Sequence, residues 1–298
     1  MPLRPQDIAR LVALALIWSA SFVFIRVLVP LLGPLWVATG RLLIAGVTLA
    51  AWLAVANVQV GVRTKWRAYA LVGLVNCALP FVLFAYAAVR LPASYLVILN
   101  ALTPLFVASL GALLLRVPLG VTRIAGLLAG VVGVALVTRA VPIAGDAAFA
   151  LAVVAGLGAA LCYAMSALWL RHRGARLDPL AIAAWSQLFG GVMLLPFALP
   201  TTAAVTMTRA AAANLLALSL LCSAVAYILY FRLIRDIGPT RALTVTFIMP
   251  AFGMIWGAWL LDESVTLGMT AGAALILAGT AVVLRSPAIS SPERRIAA

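Results

Sequence analysis

Apolar residues run through the chain in long stretches, and short polar breaks separate one stretch from the next. The hydrocarbon core of a bilayer is about 30 Å thick, and a helix of roughly 20 apolar residues crosses it. Ten stretches near that length occur, at residues 8–29, 34–56, 66–89, 93–115, 119–138, 147–170, 179–199, 211–233, 238–260 and 265–285. Proline or glycine lies at most of the breaks, as is typical of helix boundaries. The pattern predicts an all-α membrane protein with ten transmembrane helices.

The composition excludes an ordinary soluble domain. Hydrophobic residues make up 66% of the chain and charged residues 9%, whereas soluble domains carry about 25% charged residues. Residues 1–10 carry two arginines ahead of an apolar stretch, as a secretory signal does. That apolar stretch continues through residues 22–29 to spanning length, so we expect a first transmembrane helix that is retained.

The net charge of +14 indicates the orientation of the chain. When the loops are assigned alternately to the two sides, sixteen of the 21 Lys and Arg residues fall on one side. The other five are Arg26, Arg41, Arg90, Arg139 and Arg209. By the positive-inside rule we expect both termini in the cytoplasm and a multi-pass protein of the plasma (inner) membrane. This distribution accounts for the charge, and we expect no nucleic-acid partner.

Residues that support catalysis or metal binding are scarce. Cys77, Cys162 and Cys222 all fall inside predicted spans, and no disulfide is implied. His172 lies in a basic loop, and the sequence has no spacing typical of a zinc site. An enzyme would need a nucleophile or a metal cluster at membrane depth. We therefore expect no enzymatic activity, no cofactor and no metal.

The chain contains an internal repeat. Residues 270–285 match residues 124–139 at six of sixteen positions, with an offset of 146. Pairs that coincide or correspond at this offset are Gly126 with Gly272, Gly133 with Gly279, Asn100 with Thr246, and Pro104 with Pro250. An offset of 145 places Ser21 on Ser166 and Gly46 on Gly191. We therefore expect residues 1–140 and 141–298 to form two five-helix repeats.

The odd number of helices in each repeat determines how the second copy enters the membrane. After five crossings the chain is on the opposite side, so the second repeat is inverted with respect to the first. Inverted repeats are typical of transporters, whose substrate site lies near the bilayer midplane between the repeats. This interpretation explains why the glycine-rich helix occurs twice, because it closes each repeat.

Several segments resemble the EamA-type branch of the drug/metabolite transporter superfamily. They are "LIWSASFVFIR", "RLLIAG", "LPAS", Pro104 and "LLDESVTLGMTAGAALILAGTAVVL". The resemblance covers residues 8–285 and implies export of amino acids and related metabolites. It also implies that helices 1, 3, 4, 6, 8 and 9 surround the substrate path, while the glycine-rich helices 5 and 10 are packing elements. One departure is that Asp262–Glu263 corresponds to Arg116–Val117 in the first repeat, which argues against a duplicated mechanistic role.

The charged residues limit the substrate. All seven carboxylates lie at loops, termini or helix ends: Asp7, Asp146, Asp178, Asp236, Asp262, Glu263 and Glu293. No deep carboxylate is therefore available to bind a proton or a cationic drug, since such residues within spans usually mark ion sites. Helices 3, 4, 8 and 9 lack Lys and Arg in their middle, which disfavours phosphorylated solutes and sugar nucleotides. The remaining hydroxyls, amides and rings suit a zwitterion with an apolar side chain.

Aromatic and small polar residues recur at related positions of the two repeats. Ser223, Tyr227 and Tyr230 share a face of predicted helix 8, and their counterparts in helix 3 are Cys77, Phe81 and Phe84. We expect these rings to form a slot for a flat side chain; packing against lipid is the alternative. The expected substrate-binding residues are Trp18, Ser21, Asn76, Phe81, Phe84, Asn100, Tyr163, Ser166, Ser223, Tyr227, Tyr230 and Thr246. For Asn76 and Asn100 the alternative is interhelical hydrogen bonding.

Two further features concern single residues. Arg41 lies about two turns inside predicted helix 2, and we expect its long side chain to reach the lipid headgroups rather than the substrate. Pro80, Pro104 and Pro250 each free a backbone carbonyl within a span, where they act as hinges, substrate contacts or tolerated kinks.

We expect a monomer that binds a small molecule within the bilayer. A different metabolite class, a channel and a scaffold are the alternative functions.

Overall fold

A computed structural model describes residues 4–57, 61–114, 120–139, 146–173, 177–242 and 244–285 of the 298 residues. Every regular element in these ranges is a helix, so the prediction of an all-α chain is confirmed for them. Within the described ranges, seven helices are long and apolar enough to cross a membrane. Two shorter apolar helices, Val245–Leu261 and Leu267–Val283, follow them.

The first of the seven, Pro5–Val55, bends at Gly33. There φ is +72° and ψ is 159°, a backbone conformation that glycine adopts without steric penalty. An unbroken helix of 51 residues would be about 77 Å long, more than twice the bilayer core of about 30 Å. The bend therefore divides the element into α1, residues 5–32, and α2, residues 34–55.

The remaining helices keep the expected order. They are α3 Val62–Ala87, α4 Ala93–Leu114, α5 Val121–Arg139, α6 Ala147–Arg173, α7 Pro179–Ala198, α8 Arg209–Ile237, α9 Val245–Leu261 and α10 Leu267–Arg285. Helix α9 begins later than the sequence pattern predicts, because Gly238, with φ of +84°, ends α8 and the single turn Pro239–Ala242 follows.

The glycines of the repeated segment form the contact between α5 and α10. A Cβ at Gly279 would lie 2.5 Å from the carbonyl oxygen of Gly126, and one at Gly272 would lie 2.6 Å from that of Gly133. Because Gly126 meets Gly279 while Gly133 meets Gly272, the two helices run antiparallel. When each glycine is replaced by its equivalent in the other repeat, the pair Gly126–Gly279 becomes the pair Gly272–Gly133. The packing role that the family resemblance implied for these helices agrees with this contact.

A second symmetric contact joins α2 to α7. A Cβ at Gly46 would lie 2.6 Å from the backbone nitrogen of Leu188, and one at Gly191 would lie 3.0 Å from that of Leu43. Residues 46 and 191 are equivalent at the offset of 145, as are 43 and 188. Both contacts therefore map onto themselves when the repeats are exchanged. The two halves are related by a pseudo-two-fold axis, as the inverted repeat predicts.

Candidate functional site between the two repeats

Helices α3 and α8 each contain one π-helical turn, at Gly73–Ala78 and Leu220–Val225. The two turns are equivalent in the repeat to within one residue. Such wide turns occur frequently at functional sites, because they displace side chains and free backbone groups. They carry four polar residues to the interior of the bundle: Asn76, Cys77, Cys222 and Ser223.

Proline contributes to the wide turn of α3. Pro80 has no backbone N–H, so it leaves the carbonyl of Asn76, four residues earlier, without its helical partner. Nearby, Gly73 faces α7: a Cβ at this position would lie 2.6 Å from the carbonyl oxygen of Ser186. The Cys77 thiol also lies 3.5 Å from the Ser186 hydroxyl. Close packing against α7 thus holds the wide turn in place.

Arg41 occupies the space between these two turns. Its side chain is only 7% exposed, and its Nε donates a hydrogen bond of 2.8 Å to Ser223 Oγ in the other repeat. A second, longer bond of 3.4 Å runs from Nη2 to the carbonyl of Cys222. The guanidinium lies 4.0 Å from the centre of the Phe81 ring, in a cation–π arrangement. The expectation that Arg41 reaches the headgroups is wrong, because helix α2 turns this residue toward α3 and α8.

Aromatic rings from both repeats pack beside Arg41 in two related groups. In one, Trp18 of α1 lies 5.1 Å from Tyr230 and 6.2 Å from Tyr227, between ring centroids. In the other, Tyr163 of α6 lies 6.2 Å from Phe84. Repeat exchange converts Trp18–Tyr230 into Tyr163–Phe84. The predicted aromatic residues are therefore brought together, with α1 and α6 completing each pair.

The surroundings of these rings bear on whether they face lipid or the other repeat. Tyr163, Tyr227 and Tyr230 lie deep in the protein, surrounded by neighbouring helices. All three nevertheless keep part of their surface accessible, as does Trp18. Each ring contacts a ring of the other repeat, so the arrangement favours a position between the repeats over packing against lipid alone.

Three other expected site residues are buried or half-buried. Ser21 is buried and donates a 2.6 Å hydrogen bond to the carbonyl of Trp18, one turn earlier. Thr246 is half-buried at the start of α9. Ser166 is buried beside an apolar groove between α3 and α6. That groove is lined by Leu71, Val72, Val75, Met165, Ser166 and Trp169.

Asn100 lies at a break in α4, where Ala101 and Leu102 leave the helix. Pro104 is unable to donate to the Asn100 carbonyl four residues earlier. The Thr103 hydroxyl replaces that bond, donating to the carbonyl over 2.8 Å. The break therefore has a satisfied backbone, and it leaves the half-buried Asn100 side chain next to a bend. Pro250, by contrast, lies inside the continuous helix α9.

The two repeats are also joined at the opposite ends of the bundle. At one end, Arg10 of α1 forms a 2.7 Å ion pair with Asp236 of α8. At the other, Glu263 accepts hydrogen bonds from the backbone N–H groups of Ala93 and Ser94, over 2.6 and 3.0 Å. The Ser94 hydroxyl donates a third bond of 2.6 Å. Glu263 thereby satisfies donors that the first turn of α4 leaves without helical partners.

Comparison with known proteins agrees with this architecture. The transporter YvbV of Bacillus subtilis is 24% identical over 91% of this chain and 88% of its own length. Protein PecM of Dickeya dadantii is 26% identical over 90% and 88%. A WAT1-related chloroplastic protein of Arabidopsis thaliana is 27% identical over 87% of this chain and 65% of its own length. One crystal structure shares the fold with a TM-score of 0.66 at 17% identity, covering 99% of this chain and 100% of the other.

The family itself follows from a match over both halves. The profile of the EamA-like transporter family matches residues 8–139 and again residues 150–285. The two matches cover the two halves of the chain, and together they include the segments that carry the resemblance. The chain therefore belongs to the EamA-like transporter family.

Proposed function

We propose that this membrane transporter exports small neutral or zwitterionic metabolites, above all amino acids with aromatic side chains. The observation that supports this substrate class is the group of rings between the repeats: Trp18, Phe84, Tyr163, Tyr227 and Tyr230. Small-molecule sites are mostly apolar and aromatic, with a few polar groups that orient the ligand. Flat apolar side chains fit between such rings better than strongly hydrated sugars or phosphates do.

The proposed mechanism is alternating access between residues 1–140 and 141–298, each with five transmembrane helices. Two features support a count of ten: the bend at Gly33 divides the longest of the seven candidate spans, and α9 and α10 are apolar although shorter. Contacts between the halves lie at both ends of the bundle, at Arg10–Asp236 and Glu263–Ser94. Opening toward one side requires that one of these contacts separates while the other holds, as in rocking of inverted repeats.

The proposed orientation places both termini in the cytoplasm of a cell whose inner membrane contains the protein. Sixteen of the 21 basic residues then face the cytoplasm. In this orientation Arg10–Asp236 lies at the cytoplasmic end and Glu263 at the outer end.

Counterflow in liposomes tests the proposal. Purified protein is reconstituted with unlabelled phenylalanine inside, and uptake of labelled phenylalanine from outside is followed over time. A carrier produces a transient accumulation of label that a channel or scaffold does not produce. Tryptophan and leucine should also change the uptake of labelled phenylalanine, whereas a sugar phosphate should not. In a separate experiment, cells that express the chain should release phenylalanine faster than control cells. Absence of counterflow across a panel of amino acids would exclude this substrate class.

A further inference from the structure

Arg41 carries a buried positive charge that has no carboxylate partner among the residues that the structure describes. Of the carboxylates that the structure describes, Asp7 and Asp236 form ion pairs, and both pair with arginines other than Arg41. Glu263 instead binds the start of α4. A charge within the bilayer is costly, and such residues usually pair with an opposite charge or face a water-filled cavity. The position of Arg41 thus requires an account beyond protein packing.

The contacts of the guanidinium leave part of it available. It has five N–H donors, of which the Nε–H bonds to Ser223 and one Nη2–H bonds to the Cys222 carbonyl. The remaining three N–H groups have no hydrogen-bond partner in the described part of the chain. Phe81 covers one face of the group. A planar fork of N–H donors matches a carboxylate in bidentate geometry, which an ammonium group does not.

The surroundings of Arg41 restrict what approaches it. Tyr163 and Tyr227 lie within electrostatic range of the Arg41 charge. The guanidinium donates its hydrogen bonds to α8 and stacks on Phe81 of α3, so both repeats hold it in one orientation. An anionic group that enters between the repeats therefore meets a positioned cation, with aromatic rings on either side.

We propose that Arg41 binds the carboxylate of the transported solute, whose apolar side chain then lies against Trp18, Tyr227 and Tyr230. This inference rests on the proposed function and makes it narrower: the substrate is a monocarboxylate with an apolar or aromatic side chain. Among the described residues, no carboxylate lies near enough to influence Tyr163, Tyr227 or Tyr230, so none is in place there to pair with an ammonium group. The free carboxylate is therefore the main charged determinant of recognition, and the amino group contributes less.

Binding to the purified protein in detergent measures this preference without any transport step. The dissociation constants of phenylalanine and phenylalaninamide are compared by ligand-dependent thermal stability. The same comparison is made for 3-phenylpropanoate and 3-phenylpropanamide, which lack the amino group. We expect each acid to bind on the order of ten- to a hundredfold more tightly than its amide, the scale of charge-assisted hydrogen bonds. Equal binding of acid and amide by the wild-type protein would overturn the proposal.

Substitution of Arg41 identifies the residue responsible. Arg41→Gln should reduce the acid-to-amide ratio to about one, while Arg41→Lys should keep part of it, because charge remains but the bidentate fork is lost. Arg26→Gln is the matched control, since Arg26 is also partly buried but donates to the carbonyl of Ala88 at the end of α3. The control should keep the full ratio. A folded Arg41→Gln protein that still prefers the acids would assign carboxylate binding elsewhere.

Two patterns separate this inference from the proposed export of amino acids. Binding of 3-phenylpropanoate that depends on Arg41, without counterflow of any amino acid, would support the carboxylate site and refute amino-acid export. Counterflow of phenylalanine that phenylalaninamide inhibits as strongly as phenylalanine would support amino-acid transport and refute the role of Arg41. If Arg41→Gln fails to fold, two other measurements test the role of Arg41. They are the comparison of acids with amides in the wild-type protein and the acid-to-amide binding ratio of Arg41→Lys.

Discussion

The indole ring of Trp18 lies 5.1 Å from the ring of Tyr230, although 212 positions separate the two residues in the chain. Its counterpart under exchange of the repeats is Tyr163 with Phe84, at 6.2 Å. Each pair joins the first helix of one repeat to the third helix of the other: α1 to α8, and α6 to α3. The first helix of each repeat therefore contacts the third helix of the other, so motion of one half against the other would change the distance between the rings of each pair.

Truncation of one ring tests the aromatic slot. Tyr227→Ala should impair transport of phenylalanine more than transport of alanine or serine, because a large side chain loses apolar contact that a small one never makes. The expected loss of apparent binding is on the order of 1–3 kcal/mol, the scale of burying one large side chain. Counterflow with each labelled amino acid measures it. Tyr86→Ala, at an exposed position of α3, is the control and should change neither the rate for phenylalanine nor that for alanine or serine. Equal losses for all substrates in Tyr227→Ala would indicate a folding or gating defect.

Close approach of α5 and α10 makes their glycines sensitive to a single methyl group. In Gly272→Ala the new Cβ would lie 2.6 Å from the Gly133 carbonyl oxygen. Because this oxygen belongs to the backbone, the clash is relieved only if one of the two helices shifts. We expect destabilisation of about 1–3 kcal/mol, as for overpacked interiors. Gly111→Ala in α4 is the control, because its Cβ would lie 3.6 Å from the nearest atom, Leu168 Cδ2. Melting temperatures in detergent that fall equally in both variants would contradict this account.

Glu263 and Asp262 should differ despite being neighbours. Glu263→Gln weakens three hydrogen bonds to Ala93 and Ser94 and should destabilise the protein by about 1–3 kcal/mol. Asp262→Asn should be neutral, because Asp262 is exposed and its φ of +53° is one that asparagine tolerates. Melting temperatures of the two single variants measure the difference.

The same two residues test whether a carboxylate carries a proton. The double variant D262N/E263Q, in which each acid is replaced by its amide, should retain most of its facilitated flux per folded molecule. The reason is that neither acid faces the aromatic group between the repeats. Flux of labelled phenylalanine into liposomes measures this. Complete loss of flux in a correctly folded double variant would revive an ion-coupled mechanism.

Labelling of single cysteines tests the topology. In a background without Cys77, Cys162 and Cys222, cysteines at Thr202 and Asp262 should react from outside with an impermeant thiol reagent, because both positions are exposed at the proposed outer end. Single cysteines in the loops near Gly33 and Pro92 should also react from outside, and so should one at Ala144, which lies outside the described residues. A cysteine at the exposed Arg173 should react only after the membrane is permeabilised. Labelling of the outer set from inside would refute the count of ten spans.

Hydrophobic length and the glycine pattern were sufficient to predict an all-helical membrane chain with an internal repeat, whereas the family was predicted from the resemblance of particular segments. Both are properties of single segments: an apolar run of spanning length has few alternatives to a helix in lipid, and a repeated glycine helix needs a close-packed partner. The predicted start of α9 at residue 238 was early, because the pattern does not register the left-handed conformation of Gly238.

The π-helical turns were beyond the reach of the pattern. Each turn inserts a residue into an otherwise regular helix, and hydrophobicity is the same with or without it. Pro80 marks α3 as irregular, but α8 has no proline near Leu220–Val225. The turns depend on contacts with neighbouring helices, such as that between Gly73 and Ser186.

From sequence alone, Arg41 was a long side chain within reach of the headgroups, and Glu263 was an acid in a loop. Their roles depend on partners 182 and 170 positions away, Ser223 and Ala93. The direction in which a buried side chain points is set by the rotation of its helix against the others, and no local pattern encodes that rotation. Segment chemistry thus determined the helices and their duplication, while packing between the repeats decided that Arg41 lies beside the rings and that Glu263 binds the start of α4.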